Sequence, residues 1–286
     1  KALVRTATKM VGSRSFAKAL DPHALCFYDA ADFPGVSGLV ALTVDDAPCR
    51  QRDPAASRIG EVQELLREFD AKATFFLCTD DVAGHEEGLL NLIKDGHEVA
   101  NHGCEDRPYG SFSEADFLRE LRRAESVCES LRQQVEVPSA GGLPVDAAKA
   151  ASSQSYGGGP IPVAPIPVAP LAEHVEVTSD SVPAQLRWFR APHADVSAAM
   201  QKVLADEGFT NVLCDSFAND TQIQDAAFIA ESLLSLVDPV GGSIVVIHMP
   251  ERGFREHNFH ALRLLLEGLQ SRGLHATTLT ALRAAA

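Results

Sequence analysis

The 286-residue chain has no excess of basic charge, no long apolar run and no closely paired cysteines, and each lack removes a class of function. Its 25 Lys and Arg are outnumbered by 39 Asp and Glu, for a formal net charge of −14. A surface of that sign is repelled by phosphate backbones, so nucleic acid is excluded as the expected main partner. No stretch approaches the roughly 18–20 consecutive apolar residues that a bilayer-spanning helix needs. The cysteines, at 26, 49, 78, 104, 128 and 214, contain no Cys-x-x-Cys pair. Neither a zinc knuckle nor a dense disulfide framework is therefore expected; free, mostly buried thiols are, and they leave the redox compartment open. Acid is also missing locally: the first twenty residues carry Lys1, Arg5, Lys9, Arg14 and Lys18 and no Asp or Glu. A solvated helix is expected there. Contact with an anionic membrane surface, or the end of a targeting peptide, are the other readings of the same basic stretch.

What is present is apolar material in a regular rhythm. A hydrophobic content of 45% over this length supplies one core of α/β-barrel size. Strands are expected at 39–44, 73–77, 97–102, 186–189, 211–215 and 242–248, with a last strand–helix pair at 275–283. Helices are expected at 57–69, 86–94, 113–133, 196–207, 226–237 and 258–271. Asp95-Gly96 closes the second helix, and a Ser113-x-x-Asp116 cap opens the third. Strands alternating with helices at this spacing pair in parallel, and about seven units favour a distorted (β/α)7-type barrel over an open sheet. The rhythm breaks over residues 137–183, which are rich in Gly, Ala and Pro and repeat Pro-Ile-Pro-Val-Ala from Pro160 to Ala169. That segment reads as a polyproline II surface insertion with no core of its own. The organisation is then an N-terminal extension, 1–37, and a barrel, 38–286, interrupted by the insertion.

In such a barrel the chemistry sits where the strands end at their C-termini, and Asp45, Asp46, His102, Arg190 and His248 fall there. Two adjacent carboxylates in Thr43-Val44-Asp45-Asp46-Ala47-Pro48 repel each other unless a cation or a basic partner separates their roles. His102 and Asp106, in Asn101-His102-Gly103-Cys104-Glu105-Asp106-Arg107-Pro108, lie four apart, so one helical turn would bring them to one face. An imidazole with two carboxylates suits zinc, manganese or iron with positions left for water and substrate.

Together these clusters resemble the family-four carbohydrate esterases, the NodB-homology polysaccharide deacetylases, from about residue 38 to the C-terminus outside the insertion. The resemblance implies Asp45 as catalytic base and Asp46, His102 and Asp106 as ligands of a divalent metal ion, Zn2+ first, with Mn2+, Co2+ or Fe2+ as alternatives. Asp106 stands where most of the family has a second histidine, as in a subset with Asp-Arg-Pro after the Asn-His segment. Arg190-Ala191-Pro192-His193-Ala194 corresponds to the motif whose arginine orients the base and whose backbone N–H serves as oxyanion donor, here that of His193. The strand Gly242 to His248 resembles the motif that supplies the general acid, His248. A degenerate motif at Cys214 to Asp220 places Asp215 among the candidate catalytic residues. Asp215 or Asp220 would tune His248.

The implied activity is removal of N-acetyl groups from a chitin- or peptidoglycan-like glycan, extracytoplasmic or membrane-associated by the same resemblance. A metal would polarise the acetamide and activate water, Asp45 would take a proton, and His248 would return one to the amine. Two further readings share the fold: an amidase acting on a small linear or cyclic amide, and a catalytically idle, carbohydrate-binding relative.

Overall fold

Eight of the nine residues of β1 (Leu39–Ala47) are buried, as befits a strand covered on both faces. It pairs with three other strands, more than any other strand of the sheet. The other strands are β2 (Thr74–Leu77), β3 (Glu98–Asn101), β4 (Arg187–Phe189), β5 (Phe209–Asn211), β6 (Ser216–Phe217), β7 (Ile244–His248) and β8 (His275–Thr277). They run in the order β5-β4-β3-β2-β1-β7-β6, with β8 against the start of β1, and every paired ladder is parallel. The result is the expected α/β architecture, a curled and incomplete barrel whose two edge strands do not pair with each other. This computed structural model describes residues 14–136 and 186–286. The expected polyproline insertion and the basic residues before Arg14 lie outside them.

Parallel strands need crossovers, and these are helices with one apolar face. The described helices are α1 (Arg14–Leu20), α2 (Ile59–Glu68), α3 (Glu86–Lys94), α4 (Glu114–Glu136), α5 (Ala198–Asp206), α6 (Ala226–Leu236), α7 (His257–Ser271) and α8 (Leu279–Ala285). In α2 the buried residues are Ile59, Val62, Leu65 and Leu66, at the i, i+3, i+6, i+7 spacing of a helix face. Side-chain caps open α5 (Ser197), α6 (Asp225) and α8 (Thr278), each satisfying a backbone N–H that the helix leaves free. Alternation along β1 sends Val40, Leu42 and Val44 into the core shared with the helices, and Ala41 into a separate cluster with Phe76 and Ile244. The same period of two turns Thr43 and Asp45 inward, towards the mouth.

The strand expected at 211–215 is divided. After β5, the Leu213 N–H donates to the Leu25 carbonyl, and the Leu25 N–H donates to that of Asn211. Phe27 then bridges to Ser243, and the Tyr28 N–H donates to the Gly242 carbonyl. Residues 25–28 thus cover the seam between the two halves of the sheet, and β6 starts only on its far side. Gly242 permits this approach: its φ is +82°, and a Cβ there would lie 2.0 Å from the Tyr28 carbonyl oxygen. All six cysteines are free, five of them buried.

His97 belongs to the core, edge-on to Phe75, and its Nδ1 accepts the Ala73 N–H at 3.2 Å. Burial, helped by the nearby Lys72 charge, pushes its pKa down to about 4. The unfolded chain therefore binds this proton more readily than the folded one. The His97 contribution is complete above the unfolded value near 6.5 and is lost as pH falls to about 4, some 3 kcal/mol in all. Urea unfolding of His97→Gln should show that share of the acid lability gone; an unchanged pH slope would contradict it.

Candidate functional site

A cavity of about 390 Å³ opens at the C-terminal ends of the strands, and Asp45, Asp46, His102, Asp106, Arg190, His193 and His248 all line it. Asp215 does not. Its carboxylate is buried and takes bonds from Arg14 Nε (2.9 Å), Ser243 Oγ (3.0 Å) and the Ile244 N–H (2.8 Å). Desolvation pushes its pKa up to about 6. Of the two acids considered for tuning His248, Asp220 makes the contact. The sequence left that choice open because both acids lie in one loop segment.

The Asp45–Arg190 pair forms as expected. Arg190 Nη1 donates to Asp45 Oδ1 at 2.6 Å and to Thr43 Oγ1 at 2.7 Å, Nε and Nη2 donate to the Val212 and Leu213 carbonyls, and the guanidinium lies 4.2 Å over the Phe76 ring. The second pair is His248 with Asp220. His248 Nδ1 donates to Asp220 Oδ1 at 2.9 Å, and the His248 N–H donates to Oδ2 at 2.7 Å. Asn258 braces Asp220 from α7 at 2.7 Å. Burial works against the imidazolium, but the Asp220 charge and its hydrogen bond, with Asp46 and Asp45 behind them, raise its pKa to about 9. His248 therefore carries a proton at neutral pH.

The expected metal ligands meet only in part. His102 donates from Nδ1 to the Arg190 carbonyl at 2.8 Å, which aims Nε2 at Asp46 Oδ1, 3.5 Å away. Burial would raise the Asp46 carboxyl, but the His102 hydrogen bond and the His248, His102 and Arg255 charges hold it well below the usual range. Asp106 does not join them directly. Arg50 Nη2 stands between, donating to Asp46 Oδ2 at 2.7 Å and to Asp106 Oδ2 at 2.6 Å. Arg255 Nη1 donates to the same Asp46 oxygen at 2.6 Å, and His193 Nε2 lies 3.3 Å from Asp106 Oδ1. A zinc-like ion needs its ligand atoms about 2.0–2.2 Å from one point. Among the described residues no group of three His, Cys, Asp or Glu side chains is placed to hold one. In this arrangement the residues do not fit the metal that the sequence leads one to expect.

Arg50 and Arg255 were not singled out in the sequence, and neither falls in a recognisable motif. The available signal was the charge of Asp45, Asp46 and Asp106, for which the expected metal ion and Arg190 already supplied countercharge, so nothing called for a further arginine. Backbone strain marks the same place. Six non-glycine residues among those described have positive φ, and five of them (Asp46, His193, Ala194, Asn219 and Arg255) line this cavity. Each such residue costs on the order of 1–3 kcal/mol and persists where the surroundings hold it, commonly at functional sites. Asn101 is a further support: its side chain accepts the Gly103 N–H and donates to Leu121 and Glu125 on α4, fixing the loop that carries His102.

Residues 34–154 match the family described as Polysaccharide deacetylase. Over 85 residues the chain is 33% identical to a peptidoglycan-N-acetylglucosamine deacetylase of Bacillus cereus, a stretch covering 30% of this chain and 36% of that protein. Another curated relative is covered over 19% of its length, so the chain spans well under two thirds of the curated relatives it matches. Among solved structures, the Xyl-CE4 domain of a multidomain xylanase from the hindgut metagenome of Trinervitermes trinervoides aligns with a TM-score of 0.60 at 18% identity, over 87% of this chain and 90% of that one. A CE4 family pseudoenzyme from Bacillus anthracis aligns with a TM-score of 0.59 at 16% identity, over 86% and 65%. The structural likenesses carry the fold. The sequence matches make residues 34–154 similar to the polysaccharide deacetylases.

Proposed function

We propose that this chain is a carbohydrate-binding relative of the deacetylases, taking an N-acetylated glycan unit into the cavity without metal-dependent hydrolysis. The observation that carries this reading is the Arg50 bridge between Asp46 and Asp106, with Arg255 also on Asp46. Leaving aside His102, whose proton only adds to the positive side, the carboxylates of Asp45, Asp46, Asp106 and Asp220 face the guanidiniums of Arg50, Arg190 and Arg255 and the His248 imidazolium. Their formal charges cancel, and an added divalent ion would leave a surplus. A neutral acetamido sugar suits such a site. Leu213, Phe217 and Val246 offer apolar surface for the acetyl methyl, and Asn219, Thr221 and Gln222 offer polar groups for hydroxyls. The volume lies within the range of about 300–1,000 Å³ usual for small-ligand sites.

The Asp45–Arg190 and His248–Asp220 pairs favour a second reading, a deacetylase of the same glycans in which Asp45 takes a proton from water and His248 gives one to the leaving amine. Calorimetry with chito-oligosaccharides, an acetate assay and metal analysis of the purified chain separate the two. Saturable binding without acetate release and without stoichiometric metal is expected. Acetate released in proportion to bound metal would establish the deacetylase, and no binding at millimolar sugar would defeat the binding reading.

A further inference from the structure

We infer that Arg50 and Arg255 are a built-in replacement for a divalent cation, so that the arginine pair and a metal ion are mutually exclusive occupants of the site at Asp46, His102 and Asp106. Asp46 is almost wholly buried, and a carboxylate in that position needs a compensating charge. Two guanidiniums supply the formal charge of one divalent ion, and both reach Asp46 Oδ2, at 2.7 and 2.6 Å.

Arg255 does not rest there by accident of a flexible surface, while Arg50, with a side chain 37% exposed, closes the site from the solvent side. The Arg255 side chain is 10% exposed, its backbone is in the left-handed region (φ 54°), and its Nε is buried with no hydrogen-bond partner. A strained backbone and an unsatisfied donor are tolerated so that one guanidinium nitrogen can meet Asp46. Phe254 sits beside both heads, its ring centroid 5.0 Å from the Arg50 guanidinium carbon and 4.7 Å from that of Arg255. Arg50 further ties Asp46 to Asp106, the one expected ligand that the fold leaves apart from the others. Withdrawing the pair leaves the Asp46 and Asp106 carboxylates without their arginine countercharge near His102 Nε2, free to close on a divalent cation that the arginines now keep out.

The inference shares its geometry with the functional reading and is tested apart from it. The unchanged chain, Arg50→Gln, and Arg50→Gln/Arg255→Gln are titrated with Co2+ alone, followed by visible absorption and calorimetry, with circular dichroism to confirm folding. Because a site occupied by its own arginines is available to metal only as a small fraction, the double variant should bind one equivalent about 100-fold more tightly than the unchanged chain, and Arg50→Gln about tenfold more tightly. Asp46→Asn in the double-variant background should abolish the gain. If the double variant does not fold, the exposed-side Arg50→Gln decides alone. Equal affinity in the unchanged chain and a folded variant overturns the inference. An unchanged chain that binds neither Co2+ nor chito-oligosaccharide, beside a variant that gains Co2+, overturns the functional reading and leaves the inference standing.

Discussion

Replacing Arg190 by alanine should cost about 4 kcal/mol of folding stability, a large share of the 5–15 kcal/mol that holds a typical domain together. Arg190 and Asp45 are both about 5% exposed, so the carboxylate left behind would be a buried charge with its principal partner gone. The Val212 and Leu213 carbonyls would lose their donors at the same stroke, as would Thr43 Oγ1. These acceptors come from β1 and from the segment after β5, on opposite sides of the cavity mouth. The guanidinium therefore fastens the barrel wall as well as orienting Asp45. Arg190→Lys should recover less than half of the loss, because one ammonium cannot reach the positions of a planar fork. Asp45→Asn combined with Arg190→Ala should cost less than the two changes added, since the second change removes the charge that the first left unpaired. Urea denaturation of the unaltered protein and the four variants measures all of this. A loss under 1 kcal/mol for Arg190→Ala would mean that water enters the mouth and solvates Asp45.

The same residues show how far sequence reading reaches. Period-two alternation along β1 and period-3.6 spacing in α2 were legible because burial of one face is a local property of the chain. Asp45, Arg190 and His248 were legible because strand ends gather at one rim of a barrel, whatever the loops do. The partner of His248 was not: Asp215 and Asp220 share a loop, and only its path, set by Ser243 and Ile244 on one side and Asn258 on the other, decides which acid reaches the imidazole. The division of the strand expected at 211–215 was hidden because its cause, Leu25, lies far away in sequence. Arg50 and Arg255 were illegible for the same reason. Each is an ordinary loop cation until Asp46 and Asp106 are seen on the same few ångströms of space.

Asp220→Asn is expected to lower the His248 pKa by about two units or more, from about 9, because burial then acts on the imidazolium with its nearest countercharge gone. The direction follows from the balance at the site: burial disfavours the protonated ring, and Asp220 is the foremost group opposing it. Stability should register the same change. The folded pKa lies above the unfolded value near 6.5, so the stabilisation is fully present below pH 6.5 and is lost as pH rises through about 9. The unaltered protein should lose about 2.5 kcal/mol between pH 6 and 8.5 from this group. Measurements should stop near pH 8.5. Burial pushes the Cys49, Cys104 and Cys214 thiols up to about 12, so exposing them on unfolding adds its own loss from about pH 9 upward. The variant is less stable at pH 6, having lost its bonds from His248 and Asn258, yet its stability should be nearly flat over the window where the parent declines. Imidazole titration by NMR gives the pKa directly, and urea midpoints at pH 6, 7.5 and 8.5 give the slope. If the His248 signal still titrates near 9 in Asp220→Asn, then Asp46 and Asp45 hold the proton by themselves, and the ring is poised by the cavity's acids rather than by the loop behind it.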